Sequence, residues 1–343
     1  NYNKLIQLLR SEYKSNNIVI RYFDGDKELI TIRSDDELRA AADFFGSDTP
    51  RFEIEIPKDG ASGQSFKVKK PITPTKDPSG NIILHKASFP WKVIKVIGQG
   101  AYGTVYEVID KRTGRFMAAK RISFGRIEDP QKKQQAIDEV IKEIELMKGL
   151  SHENIVRYID VEVRKDSLYI FLEYVPKGSL ASMLSNCGPL PESTVRNYTR
   201  QILQGLQYLH NQNIVHRDIK SANLLVNTDG VIKLADFGHS KVINNEASLS
   251  ARPNQSIKGT PMWMAPEVVK CNQNGKWSDI WSVGCVVVEL MTGECPYPNL
   301  KHMDPIQIMI KIAHDDTVVP AIPQNASLEC QQFLGRIFQR DPL

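Results

Sequence analysis

Residues 214–238 read I-V-H-R-D-I-K-S-A-N-L-L-V-N-T-D-G-V-I-K-L-A-D-F-G. Two charged triplets stand in this stretch, His216-Arg217-Asp218 and Asp236-Phe237-Gly238, with their aspartates eighteen positions apart. Alone, the first is a charged turn and the second an aspartate-initiated loop with a buried aromatic. Between them lie two apolar runs, 224–226 and 231–234, that read as a hairpin. Asp218 is then a carboxylate placed to accept a hydroxyl proton, while Asn223 and Asp236 offer oxygens to magnesium ions that bridge nucleotide phosphates. Hard oxygen ligands suit magnesium, which keeps several waters and is shared with phosphates. The residue types and their spacing predict phosphoryl transfer.

The 343 residues are 41% hydrophobic and 24% charged, an ordinary globular composition that excludes wholesale disorder and leaves room for two or three domains. A net charge of +4, with no Lys/Arg cluster interleaved with aromatics, does not imply nucleic acid. Five cysteines (Cys187, Cys271, Cys285, Cys295, Cys330) are scattered without a C-x-x-C pair, so neither a disulfide framework nor a zinc site is expected, and a reducing cytoplasm fits. The longest apolar run, 281–291, includes Glu289 and is too short for a membrane span, so it reads as a buried helix. Because the chain opens at Asn1 inside an amphipathic pattern, its natural N-terminus is expected upstream.

Three segments follow from pattern. Residues 1–56 alternate helix and strand signals, with strands at I-V-I-R-Y-F, L-I-T-I and F-E-I-E-I and helices around 5–9 and 38–45, giving a small α+β unit. Residues 57–88 hold Pro, Gly, Ser and Lys without a hydrophobic period and read as a linker. Residues 89–343 read strand-rich to 175 and helix-rich from 176, which predicts two lobes.

In the strand-rich part, V-I-G-Q-G-A-Y-G-T-V places Gly98, Gln99, Gly100, Ala101, Tyr102 and Gly103 in a loop, with Val105 just beyond as a further nucleotide contact. β-Branched residues on both sides make this strand-loop-strand instead of strand-to-helix, and the downstream partner is Lys120 where a ribose-binding acid would otherwise stand. Glycines let the loop backbone approach phosphates closely. A period of two sets Phe116, Ala118 and Lys120 on one strand face, the small Ala118 leaving room for a flat base. A helix is predicted from Asp129-Pro130, with a stripe of Ile137, Val140, Ile141, Ile144 and Met147. Glu143 flanks that stripe, and Lys120 is the candidate partner for its carboxylate. Glu173 and Val175 bound the expected hinge along the adenine edge, and Leu172 gates the pocket behind it. In the helix-rich part Val195, Tyr198, Ile202, Leu206 and Leu209 recur at helical spacing as core.

With G-T-P-M-W-M-A-P-E at 259–267 and S-H-E-N-I-V at 151–156 added, residues 91–343 resemble a eukaryotic protein serine/threonine kinase of the STE group, close to the MAP kinase kinase kinases. That resemblance implies the two-lobed kinase fold, ATP and Mg2+ as cofactors, and a MAP kinase kinase as substrate. It makes Asp218 the catalytic base, sets Lys220 on the transferring phosphate, assigns Asn223 and Asp236 to the metal, pairs Glu143 with Lys120 and puts Leu225 beneath the adenine. Lys220 and Thr260 match the serine/threonine pattern, Asp279 braces the catalytic loop, and Arg217 meets an activation-segment phosphate, with Ser256 the best-placed acceptor ahead of Ser248 and Ser250. Two departures stand out. His239 follows D-F-G where a small residue is usual; a role in tuning the metal site is one reading, and the expectation is that it faces solvent. The chain also ends before the arginine that the family pairs with Glu267, so a C-terminal helix is expected beyond Leu343.

Residues 1–56 hold eight Lys/Arg and eleven Asp/Glu, and Asp24, Asp26, Glu28, Asp35, Asp36 and Glu37 gather around one strand. One reading is a solvated turn and an acidic helix N-terminus. The other is a resemblance to the acidic motif of a Phox-and-Bem (PB-1) domain, a ubiquitin-like β-grasp module. It implies pairing of Asp24, Asp26, Asp35 and Asp36 with the basic face of a partner module, and leaves a two-faced module open. A STE-group kinase with other protein substrates, or a catalytically silent scaffold, are the alternative readings of the whole chain.

Overall fold

The computed structural model describes residues 19–23, 29–32, 53–55 and 85–340, apart from 101–102, 126, 128, 165, 243–259 and 271–274. The chain divides into two units, Asn1–Lys70 and Pro71–Leu343.

In the first unit, β1 (Val19–Phe23) is the centre of a three-stranded antiparallel sheet. Ile20 stands opposite Ile32 of β2 (Leu29–Ile32) on one side and Ile54 of β3 (Glu53–Glu55) on the other. The three strands agree with the expected ones. The helices expected around 5–9 and 38–45, the acidic residues Asp24, Asp26, Glu28, Asp35, Asp36 and Glu37, and the linker through 84 lie outside the described residues.

The second unit begins with a correction. Residues 85–88, read as the end of the linker, are bound to the sheet: His85 exchanges backbone hydrogen bonds with Val163, and the Ser88 amide donates to Asp160 Oδ2 at 2.7 Å. Polar linker composition hid this, because the partners lie some 75 positions downstream. The sheet itself has five antiparallel strands in the order β4-β5-β6-β8-β7: β4 (Trp91–Gly100), β5 (Gly103–Asp110), β6 (Phe116–Ser123), β7 (Tyr158–Arg164) and β8 (Ser167–Glu173). Between β6 and β7 runs α1 (Pro130–Lys148), started as expected by Asp129, whose carboxylate accepts the amides of Gln131 and Lys132. The face of Ile137, Val140, Ile144 and Met147 is buried against the main core, each side chain contributing roughly 1.5–3 kcal/mol as an upper value. This burial holds α1 where Glu143 reaches the inside of the lobe.

Beyond Val175 the described chain is largely helical: α2 (Leu180–Cys187), α3 (Glu192–Asn211), α4 (Pro266–Val269), α5 (Lys276–Thr292), α6 (Pro305–His314) and α7 (Leu328–Ile337). The apolar run at 281–291 is the buried body of α5, and the helix starts earlier, carrying Asp279 in its first turn. Val195, Ile202, Leu206 and Leu209 of α3 are buried and Tyr198 packs partly against them, as their spacing predicts. Two short antiparallel pairs lie on this helical base: β9 (Ile214–Val215) with β12 (Lys241–Val242), and β10 (Leu224–Val226) with β11 (Ile232–Leu234), the expected hairpin. Gly205 of α3 lets the helix close on that hairpin, since a Cβ there would stand 2.7 Å from Leu234 Cδ1. A β-sheet lobe and a helical lobe thus enclose the two charged triplets.

Candidate active site

Strand register assembles the upper wall. Val105 of β5 stands opposite Lys120 of β6, and Ala118 stands opposite Leu172 of β8. Directly opposed residues share a face, so Val105, Ala118, Lys120 and Leu172 line the same side of the sheet. Gly98, Gln99 and Gly100 end β4, and Gly103 opens β5; Ala101 and Tyr102 lie outside the described residues. Gly103 has φ +130, and a Cβ there would collide with the Arg121 carbonyl of β6. The position therefore requires glycine on two counts. Gly103→Ala is expected to cost about 1–3 kcal/mol of stability and to weaken nucleotide binding; an unchanged melting temperature and an unchanged Kd would refute this.

Lys120 Nζ reaches Glu143 Oε1 at 3.0 Å and Asp236 Oδ1 at 2.8 Å, with the lysine and glutamate side chains nine-tenths buried. Burial by itself would lower the Lys120 ammonium, but the two carboxylates outweigh it and hold it above its usual value. Burial likewise pushes Asp236 up, and the charge of Lys120 brings it below the ordinary carboxylate range. Removing Lys120 would leave two buried carboxylates facing each other. Asp236 sits at φ 64, ψ 79, a left-handed conformation uncommon for a residue with a side chain, which turns its carboxylate from the β11 end toward the lysine.

Glu173 ends β8 opposite Met117, and its carboxylate is held by Lys233 Nζ at 3.0 Å and the Arg157 amide at 3.3 Å. The Glu173 side chain is thus committed to the hairpin strand β11, and the Glu173 amide donates to the Arg157 carbonyl at 2.9 Å. Val175 is buried at the exit of the hinge. Two backbone hydrogen bonds, Lys177 amide to Val226 carbonyl and Val226 amide to Gly178 carbonyl, join this exit to β10 and carry Leu225 alongside Ser179.

The triplet His216-Arg217-Asp218 is held from α5. Asp279, 1% exposed, accepts the His216 amide at 2.9 Å and the Arg217 amide at 2.8 Å, and His210 Nε2 stands 2.8 Å from Oδ2. Arg217 has φ +71, and its Nε finds no hydrogen-bond partner among the described residues. Ser248, Ser250, Ser256 and Gly259 lie outside the described residues. Asp218 is surrounded by donors. Oδ2 receives Lys220 Nζ and Asn223 Nδ2, both at 2.8 Å, and Oδ1 receives the Thr260 hydroxyl at 3.1 Å. Burial would raise this carboxyl; hydrogen bonds from His239 and Lys220 override it and hold it well below the usual carboxylate range. Glu267, whose expected partner is not among the described residues, is pushed up by burial.

His239 overturns an expectation. Instead of facing solvent it is 7% exposed, with Nδ1 3.5 Å from Asp218 Oδ2. The pairing of β12 with β9 folds residues 239–240 back onto the triplet, an effect no local pattern announces. Sequence reading likewise missed His210 and Lys233 as supports of Asp279 and Glu173; the available signals were a histidine directly after the last apolar residue of the α3 stripe and a lysine inside the apolar run 231–234.

Magnesium fits this site. Asn223 donates its Nδ2 to Asp218, which leaves its carbonyl oxygen for a cation, and Asp236 keeps Oδ2 while Oδ1 meets Lys120. Two hard oxygens suit an ion that takes its remaining ligands from phosphate and water.

A β-sheet lobe on a helical lobe, a buried lysine held by two acids, and a charged triplet braced from a core helix are the arrangement of a protein kinase. Residues 91–343 match the protein kinase domain family, and the chain belongs to it. The chain is also 41% identical over 260 residues to Mitogen-activated protein kinase kinase kinase A of Dictyostelium discoideum, covering 76% of this chain and 27% of that protein. With Mitogen-activated protein kinase kinase kinase 2 of Arabidopsis thaliana the identity is 42% over 268 residues, 77% of this chain and 40% of that protein. A kinase of the same description, MST11 of Pyricularia oryzae, is 42% identical over 259 residues, 73% of this chain and 28% of its own length. The chain thus spans well under half the length of these curated relatives.

Proposed function

We propose that this protein is a serine/threonine kinase that transfers the γ-phosphate of ATP to hydroxyls of a MAP kinase kinase. The observation that carries the chemistry is the bridge from Lys220 Nζ to both Asp218 Oδ2 (2.8 Å) and the Thr260 hydroxyl (2.7 Å), which sets a cation and a carboxylate side by side beneath the cleft. The substrate class is supported by the names of the relatives, which are MAP kinase kinase kinases.

Asp218 orients the substrate hydroxyl and accepts its proton while the hydroxyl oxygen bonds to the γ-phosphorus and the bond to ADP breaks. Lys120, kept charged by Glu143, is set to hold the nucleotide phosphates, and Lys220 offers its charge beside the reacting oxygen. Magnesium at Asn223 and Asp236 would neutralise charge on the phosphoryl oxygens. Catalysis is then mostly positioning and electrostatic stabilisation. The test is radiolabelled γ-phosphate transfer to an inactive MAP kinase kinase. Transfer to other proteins but not to this one would reassign the substrate, and nucleotide binding without any transfer would leave a scaffold.

The acidic N-terminal unit is proposed as a PB-1-like β-grasp module that pairs with a basic-face partner through Asp24, Asp26, Asp35 and Asp36. The antiparallel sheet with β1 at its centre supports this reading. Charge pairing between exposed faces is screened within about 8–10 Å at physiological salt. Binding to a basic-face domain is therefore expected to weaken steeply between low and high salt and to be lost in Asp24→Ala/Asp26→Ala; salt-independent binding would refute it. A cytoplasmic setting belongs to the same proposal, supported by free Cys187, Cys285, Cys295 and Cys330, and cell fractionation checks it.

A further inference from the structure

The two oxygens of Asp218 are not equivalent. Oδ2 accepts from Lys220 Nζ and Asn223 Nδ2, both at 2.8 Å, and His239 Nδ1 stands 3.5 Å from it. Oδ1 faces one donor, the Thr260 hydroxyl at 3.1 Å, the same kind of group as a substrate serine or threonine. An ionised carboxylate oxygen accepts but cannot donate, so each donor on Oδ2 restricts rotation of the carboxylate and leaves Oδ1 as the open acceptor. Lys220 is divided between Asp218 and Thr260, and Asn223 is divided between the Asp218 side chain and backbone and, through its own oxygen, the cation site. Both of these donors are therefore drawn to other groups during the reaction.

The backbone of His239 is pinned on both sides. The turn Phe237–His239 follows the left-handed Asp236, the Ser240 amide closes on the Phe237 carbonyl at 2.9 Å, the Ser240 hydroxyl donates to the His216 carbonyl at 3.2 Å, and Lys241 pairs with Val215. That pairing fixes the imidazole relative to the strand that leads into His216-Arg217-Asp218. Contact from Nδ1 to a carboxylate requires a proton on Nδ1. The 3.5 Å separation is at the outer limit of a hydrogen bond, and such contacts around a reacting group tighten when substrate is bound.

The geometry points to His239 as a positioning residue for phosphate transfer: by donating from Nδ1 to Oδ2 of Asp218 it holds the carboxylate so that Oδ1 is presented to the substrate hydroxyl. The inference rests on the reading of Asp218 as the base. It goes beyond that reading by assigning work to a residue that stands where the kinases this chain resembles carry a small one.

Donation can be separated from packing by two replacements. In His239→Asn the amide nitrogen stands near the place of Nδ1 and can donate; in His239→Leu the space is filled without a donor. Steady-state transfer to the MAP kinase kinase is measured for both, with wild type and Asp218→Asn alongside, and nucleotide Kd is measured as the check that the cleft is folded. His239→Leu is expected to lower kcat about tenfold with nucleotide Kd and KM within about twofold, and His239→Asn to stay within about threefold of wild type, since an interaction made only in the transition state moves kcat alone. A wild-type kcat in His239→Leu, or equal losses in the two variants, overturns the inference. If Asp218→Asn abolishes transfer and His239→Leu does not change it, only the role of His239 falls. If wild type and Asp218→Asn are equally inactive, the assignment of Asp218 falls and this inference with it. Histidine 15N resonances of the wild-type chain give a second reading that needs no variant: a protonated Nδ1 on His239 is expected, and an unprotonated Nδ1 overturns the proposal.

Discussion

Asp218→Asn will reduce phosphate transfer by roughly 10²–10⁴-fold while leaving nucleotide affinity close to that of the wild type. The amide has the shape of the carboxylate but neither its charge nor its basicity. In the wild type Lys220, Asn223 and the Thr260 hydroxyl all donate to Asp218, at 2.8 to 3.1 Å. An asparagine NH2 would confront one set of these donors with another donor, so part of the network must turn away as the base is lost. Lys120, Glu143 and Asp236 form a separate cluster and are untouched, which is why binding should survive. Single-turnover transfer beside nucleotide titration checks both halves, and transfer within tenfold of wild type would sink the assignment.

The same donors determine the acid behaviour. Because the Asp218 carboxyl is held below its ordinary value, about 3.9 in an unfolded chain, its ionised form stabilises the fold at neutral pH. That contribution is present above the unfolded value and is lost only as pH falls from there through the lower folded value. Protonation of Asp218 therefore does not account for any decline in transfer between pH 5 and 7.

Asp279→Ala will destabilise the protein by about 3–5 kcal/mol and will also lower kcat. The carboxylate is buried on a core helix, and it receives the His216 and Arg217 amides and the His210 ring. Its removal leaves two buried N–H groups unpaired. It also releases Arg217, whose left-handed backbone carries about 1–3 kcal/mol of strain that these hydrogen bonds oppose. Relaxation at Arg217 would displace the adjacent Asp218, so the stability and activity losses share one cause. Urea unfolding gives the first and kcat the second; a stability change under 1 kcal/mol would show that the triplet is held by other contacts.

Much of this was legible beforehand because it is local or periodic. The hairpin 224–234 follows from two apolar runs and a turn, Asp129 and Pro130 announce the start of α1, and the stripe of α1 decides which of its faces is buried. The pairing of Lys120 with Glu143 follows from a carboxylate beside a buried stripe needing a cation, and the kinase resemblance implies it as well. Residues 85–88 were read wrongly for the opposite reason: their partners are on β7, and a polar composition says nothing about a distant strand edge.

The amino-acid sequence by itself determined the chemistry of this protein: which groups can act as base, cation and metal ligand, and the order in which strands and helices carry them. Those properties reside in residue type and spacing, which survive in an extended chain. Only the tertiary structure decided how the groups are used. It placed Thr260 on one oxygen of Asp218 and His239 on the other, committed the Glu173 carboxylate to Lys233, and set Asp279 under the catalytic turn. The contacts of Asp218 with Thr260 and His239, of Glu173 with Lys233 and of Asp279 with the Arg217 amide join residues 21 to 62 positions apart, and they exist only once the chain has folded.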